Sequence, residues 1–240
     1  MKSGYGLEMR AAAVCREHLF HATTQSVPYR DPTEGDTTRE ADVVVQGGTL
    51  YGSDGVFWTL TVVIECKSPK GKPWVALLIP HTVSGSLSGA LVEPVSPDRD
   101  ALERLMDALK DFSPFASASY AEGLVSAHVS DGRDQKNGYN TAGSALRQAM
   151  SAAAGIHEQY VPPSEQHITM TLPVLVTGGE LYGASLDPTG EVEVEDLPHV
   201  FVKAPRPGGQ DVADVHVMTF DYFTDSFVPD LRWVLTERIF

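Results

Sequence analysis

The chain has 240 residues, 42% of them hydrophobic and 21% charged, which is enough apolar material for one elaborated core without disulfides or structural metal. These values exclude a chain that is disordered throughout, and apolar stretches such as residues 43–45 and 76–79 fall far short of the roughly 18 residues a membrane span needs. Eighteen Lys and Arg against 32 Asp and Glu leave a net charge of −14, which repels nucleic acid at long range unless basic residues gather locally or a bound cation supplies the positive charge.

The N-terminus has no apolar signal core, and Cys15 and Cys66 give no disulfide framework, which together read as a cytoplasmic, reduced protein. Residues 6–20 have helical spacing: Leu7, Ala11, Val14 and His18 form one row, and Glu8, Ala12, Cys15 and Leu19 the next. Glu8 stands on that apolar stripe, where a carboxylate is costly without a partner. Residues 30–41 read as a polar loop leading into a strand at 42–46. A turn at Gly47 and Gly48 separates it from a second strand over 56–66. Alternation along the end of that run puts Leu60, Val62, Ile64 and Cys66 on one face and Thr61, Val63, Glu65 and Lys67 on the other.

After a break at 68–73 comes a short apolar run at 74–79, then a Ser/Gly segment at 82–89. Pro97 behind a Ser96 cap, with Leu102, Leu105, Met106, Leu109 and Phe112 following, predicts a helix. Residues 131–140 read as a polar loop and 141–156 as an alanine-rich helix. In the last third, 169–177 and 180–186 flank Gly178 and Gly179 and read as a hairpin. Strands follow at 191–203 and 214–220, and a helix interrupted near Pro229 closes the chain.

The element order, with Asp42 opening one strand and Glu65-Cys66-Lys67 closing the next, resembles the PD-(D/E)XK, or restriction-endonuclease-like, nuclease superfamily. Ala41 stands where the motif's proline would be. The segments Lys72-Pro73-Trp74-Val75 and Pro173-Val174-Leu175-Val176 through Gly179-Glu180-Leu181-Tyr182 are similar to uncharacterised bacterial proteins of that superfamily. The resemblance lies in residues 5–80 and 141–200. It implies one α/β (α+β) domain over 1–240, with an αβββαβ core at about 5–80 and 141–180 and a mixed central sheet flanked by helices. An insertion at about 82–130 and a β-rich extension at about 181–240 complete it.

The resemblance also implies a chemistry. Hydrolysing a phosphodiester requires neutralising the phosphate and activating a water, and Mg²⁺ held by one or two carboxylates does both. Asp42 and Glu65 are the expected ligands of Mg²⁺ (Mn²⁺ as a substitute), with the Cys66 carbonyl as a third oxygen. Lys67 is expected to orient the water or stabilise developing charge, and Glu8 matches a glutamate that points at the metal site in similar members. Gln148, Lys70 and Lys72 are candidate substrate contacts, although Ala152 stands where a Q-x-x-x-Y pattern would have its aromatic residue.

The expected activity is therefore DNA cleavage in defence or repair, with Lys67, Lys70, Lys72, Arg133, Lys136 and Arg147 gathered around one cleft. No membrane is expected, and a protein partner or homodimer is compatible with the sequence. Two other readings stand beside it: a catalytically silent binding module of the same fold, and an acidic regulator that binds protein. Glu65 and Lys67 as a surface cross-strand pair is the plain structural alternative. His18, His21, His157 and His167 lack zinc-ligand spacing.

Overall fold

The computed structural model describes residues 5–19, 22–35, 37–47, 50–51, 57–69, 72–79, 91–94, 119–126, 135–160, 167–208 and 212–233. Helix α1 (Tyr5–Leu19) is followed by β1 (Ala22–Arg30), β2 (Thr38–Gln46), β3 (Leu50–Tyr51), β4 (Phe57–Lys67), β5 (Trp74–Leu78), β6 (Leu91–Pro94) and β7 (Ser119–Ser126). Helix α2 (Gln135–Tyr160) then leads to β8 (His167–Thr177), β9 (Leu181–Leu186), β10 (Val192–Asp196), β11 (His199–Pro205) and β12 (Val212–Thr219). A helical segment at 220–233, π-helical over Phe223–Phe227, closes the described chain. The protein is mixed α/β, and no helix among the described residues is long and apolar enough to cross a membrane.

One mixed sheet has the order β1-β2-β4-β8-β12-β11-β7-β5-β9-β10, with β3 added to β4 and β6 to β8. β1, β2 and β4 form an antiparallel meander, and β8, delivered by α2, runs parallel to β4 along its whole length. β7 lies between β11 and β5, and β12 pairs with β8. Residues from both the expected insertion and the expected extension are thus built into the sheet.

Alternation in β4 decides which side chains go where. Leu60, Val62, Ile64 and Cys66 join Val43 and Val45 in a core with Leu7, Ala11, Ala12, Cys15 and Leu19 of α1. Val63, with Val44 and Leu175, joins the core around α2. Ala142, Ala145, Ala149, Ala152 and Ala153 of that helix are all buried, because small side chains let its backbone approach the strands closely. Gly155 is the tightest point, since a Cβ there would lie 2.5 Å from Tyr29 Cδ2 and 2.7 Å from the Arg30 carbonyl oxygen.

The sheet cannot be flat. Five strand spacings separate β8 from β9 in the order above, about 24 Å if laid out in a plane. Yet only Gly178, Gly179 and Glu180 join Thr177 to Leu181, a reach of roughly 14 Å. The sheet therefore curls until the ends of β4 and β8 meet the starts of β5 and β9. Each ladder runs on into the connecting segment, with the Gly178 N–H donating to the Lys67 carbonyl at 2.9 Å beyond the β4–β8 pairs and the Trp74 N–H to the Glu180 carbonyl at 3.0 Å before the β5–β9 pairs.

Four sequence expectations are corrected here. β8 and β9 are not a hairpin: β8 pairs with β4, β12 and β6, and β9 with β10 and β5. Gly178 and Gly179 serve close approach instead, since a Cβ on Gly179 would sit 2.8 Å from Pro69 Cγ. The loop expected at 30–41 is shorter, because β1 and β2 extend it as a strand pair whose outer residues, such as Thr38, Arg39 and Glu40, are exposed and so carry no apolar alternation. The polar residues 135–140 belong to α2, since an established helix propagates at little cost per residue. The strand expected at 191–203 is two strands, broken at Leu197 and Pro198, where the chain leaves β9 for β12. The helix expected at 97–112 and the Ser/Gly segment lie outside the described residues.

Candidate functional site

The pairing of β2 with β4 runs from Gln46↔Thr61 to Val43↔Ile64 and stops there. One step further Asp42 and Glu65 would oppose each other. Instead the Cys66 N–H donates to Asp42 Oδ2 at 2.7 Å, so a carboxylate replaces a backbone carbonyl. On the other side of β2, Ser26 drops out of the β1–β2 register opposite Asp42 and takes φ 51°, a left-handed conformation that costs a non-glycine residue on the order of 1–2 kcal/mol. The hairpin also rolls over here. Val43 and Val45 pack toward α1, whereas Ala41, Val27 and Tyr29 pack toward α2. Asp42 is thus mid-strand at a break in the sheet, and not at the strand's first position as the sequence suggested.

Lys67 lies where the two acids converge. Its Nζ is 3.0 Å from Glu65 Oε2 and 3.7 Å from Asp42 Oδ2. Glu65 is completely buried while Lys67 is 29% exposed, so the ion pair joins a buried carboxyl to a partly exposed lysine. Burial pushes the Glu65 carboxyl up to about 7, the Asp42 charge adds to the rise, and Lys67 opposes it. Burial works against the charged Lys67 amine, yet the Glu65 and Asp42 carboxylates hold its pKa above the usual lysine value. Glu65 Oε1 is buried without a hydrogen-bond partner.

Glu8 belongs to the same neighbourhood. It is half-buried on α1, and its carboxyl is raised by burial and then by Asp42, with Lys67 opposing. Three acids and one lysine therefore share the open end of the β2–β4 pair.

No family model, curated protein or solved structure matches the chain. What the site can hold is thus argued from its donors alone. Among the described residues no group of three or more His, Cys, Asp or Glu side chains is arranged to hold an ion. Asp42 and Glu65 offer hard carboxylate oxygens, one of them without a partner in a buried position. Such a sparse oxygen set fits Mg²⁺ or Mn²⁺, which keep several waters, and does not fit a four-ligand zinc site. In a strand the N–H and C=O of one residue point to the same side, so the Cys66 carbonyl faces Asp42 as its N–H does, outside the β2–β4 ladder.

The substrate candidates separate. Lys67, Lys72 and Gln148 line one cavity of about 590 Å³ between the end of β4, the start of β5 and α2. Gln148 and Arg147 line an adjoining cavity of about 320 Å³. Lys70 and Arg133, and the side chain of Lys136, lie outside the described residues. Cys66 and Cys15 are buried free thiols, as expected of small core residues.

Sequence reasoning missed Tyr29, whose buried hydroxyl has no hydrogen-bond partner and whose pKa is raised by burial first and by Glu65 second. Only the pairing of β1, hidden by Pro28 and a polar composition, brings it there. It also missed a second buried ionisable cluster, His199 and His216, whose rings stack 5.3 Å apart against Phe201, Tyr222 and Phe227.

Proposed function

We propose that this protein is a Mg²⁺-dependent deoxyribonuclease of the restriction-endonuclease-like kind, hydrolysing phosphodiester bonds in defence or repair. The observation that carries this reading is the meeting of Asp42 and Glu65 at the Lys67 ammonium, at the point where two antiparallel strands stop pairing. A surface cross-strand pair does not need a fully buried carboxylate with an oxygen left unpartnered. The chain order α1, the β1-β2-β4 meander, α2 and then β8 parallel to β4 supports the αβββαβ core that the resemblance implies.

On this reading Asp42 and Glu65 hold the cation, with the Cys66 carbonyl as a further oxygen. Bound there, the cation neutralises phosphate charge and makes a bound water more acidic. Asp42 is kept in place by the Cys66 N–H, and Glu65 by the strands that bury it. Lys67, once its carboxylate partners are occupied, presents its ammonium to the charge that develops on the phosphate. Glu8 adds negative charge that favours the cation and disfavours the empty site. The net charge of −14 is compatible with this function because a divalent cation held at the site would supply the positive charge that a phosphate needs.

The test is cleavage of single- and double-stranded DNA by the purified protein in Mg²⁺ and in Mn²⁺. Cleavage that stops with chelator and returns with metal is the expected result. Absence of cleavage on both substrates with both metals, from protein whose melting temperature rises with Mg²⁺, overturns the enzyme reading and leaves a binding module.

A further inference from the structure

The two cavities beside the site are one groove, because Ser144 and Gln148 line both. In α2, Thr141, Ser144, Gln148 and Ser151 recur at three- and four-residue spacing, the one polar stripe through a run of buried alanines. The groove begins at Lys67 and Lys72 and continues along this stripe to Arg147 and Arg206. Lys67, Lys72, Arg147 and Arg206 thus border one groove on a chain whose net charge is −14. Asp31 and Glu34 also line the Arg206 end, but Arg39 engages both, its Nε 2.5 Å from Asp31 and its Nη2 3.0 Å from Glu34. Arg206 itself lines this cavity, and its Nε is buried with no acceptor.

The two ends differ in chemistry. The cavity next to Lys67 is walled by Pro69, Trp74 and Ala145 as well as its polar residues, whereas the far one is lined mainly by arginines, hydroxyls and acids, with Pro205 and Pro207 beside them. Duplex DNA presents phosphates and groove edges to a protein and keeps its base faces stacked inside. An apolar-walled cavity of about 590 Å³ beside a lysine that meets phosphate suits a base that has left the stack.

We infer that the groove along α2 is a track for one unpaired nucleic-acid strand. A nucleoside adjoining the scissile phosphate sits in the cavity of Pro69, Trp74 and Ala145, and a phosphate further along the strand is held by Arg147 and Arg206. This deepens the nuclease reading and rests on it for the position of the scissile phosphate. The strand path itself stands on the groove, so binding can be measured without cleavage.

The experiment is anisotropy of a labelled oligodeoxynucleotide in chelator, as a single strand and annealed to its complement, over a salt series. The wild type is expected to bind the single strand more tightly. Replacing both Arg147 and Arg206 by Ala should weaken that binding by about tenfold or more and reduce the salt slope by about 1 to 2. Ser144→Trp, at an exposed helical position shared by both cavities, should block the single strand and leave the fold unchanged by circular dichroism. Lys203→Ala, an exposed lysine off the groove, should have no effect.

Equal or tighter duplex binding overturns the unpaired strand. Binding that ignores the arginine double variant or Ser144→Trp overturns the path. If the single strand binds through the groove but is never cut with Mg²⁺, the nuclease reading fails and this inference stands; if DNA is cut and Ser144→Trp cuts it as fast as wild type, the inference fails alone.

Discussion

Two regions of this sheet bury ionisable side chains, and they do so in opposite ways. At the end of β4 acids and a lysine meet: Glu65 is wholly buried against Lys67 and Asp42, with one oxygen unpartnered. On β11 and β12 the groups are neutral. His199 and His216 lie 3.3 Å apart, Nε2 to Nδ1, inside a cage of aromatic rings. Burial pushes His199 down to about 3, and burial with its neighbour holds His216 well below the usual histidine range. The histidines fill space as polar aromatics. At the other site Asp42 and Glu65 share one lysine beside an opening, an arrangement that suits a cation site better than a structural core.

The largest contrast is expected in activity. Lys67→Ala should lower cleavage by about 10²-fold to 10³-fold, the loss typical of a donor to developing charge, while the protein still gains stability from Mg²⁺. Asp42→Ala should lose both the cleavage and the Mg²⁺ effect. His216→Phe should leave cleavage per folded molecule unchanged. Cleavage rates and melts with and without Mg²⁺ measure all three, and wild-type cleavage by Lys67→Ala would place that residue among the structural ones.

A smaller effect, with opposite signs in the two regions, belongs to pH. The histidines have lowered native pKa values, so the stability they contribute is present above about 6.5 and is lost as pH falls, by up to about 1.4 kcal/mol per pH unit for each ring. Glu65 has a raised native pKa. Its contribution is full below the ordinary glutamate value of 4.5 and is lost as pH rises through about 7. Urea unfolding of the metal-free protein across pH should give a maximum near about pH 6.5. Glu65→Gln should flatten the fall above it and His216→Phe the fall below it. Mg²⁺ should remove the upper fall in the wild type only.

The comparison could be read from the sequence on one side only. Period-two alternation in residues 60–67 assigned Glu65 and Lys67 to one face because a long β-branched strand leaves little choice, and helical spacing set Glu8 on the buried side of α1. The histidine cage is invisible at that level, since His199 and His216 meet through the Phe201↔His216 register of two strands whose cores look ordinary. Tyr29 and Ser26 were illegible for a similar reason. β1 is an edge strand with Pro28 and polar residues, and its identity comes from pairing, not from its own pattern. Gly178-Gly179 misled because a turn and a close crossing need the same residue.

The smallest expected effect concerns Glu8, half-buried between the two regimes. Glu8→Gln should stabilise the metal-free protein by about 0.5 kcal/mol or less, given solvent screening, and should reduce the stabilisation that Mg²⁺ provides. Paired thermal melts decide it: identical Mg²⁺ shifts in variant and wild type would remove Glu8 from the cation's surroundings.

The parallel pairing of β4 with β8 also sets a schedule. Glu8, Asp42, Glu65 and Lys67 all leave the ribosome early, but β4 finds its central neighbour only when His167–Thr177 has been made, with Phe57 opposite His167 and Lys67 opposite Thr177. Until then one long edge of a β-branched strand is open, and the strand end that carries Glu65 and Lys67 lacks its neighbour on that side. A chain stopped before β8 holds Glu8, Asp42, Glu65 and Lys67 but lacks the strand that pairs with β4 along its whole length. On the proposed nuclease reading, synthesis itself therefore holds the site unassembled until β8 is made.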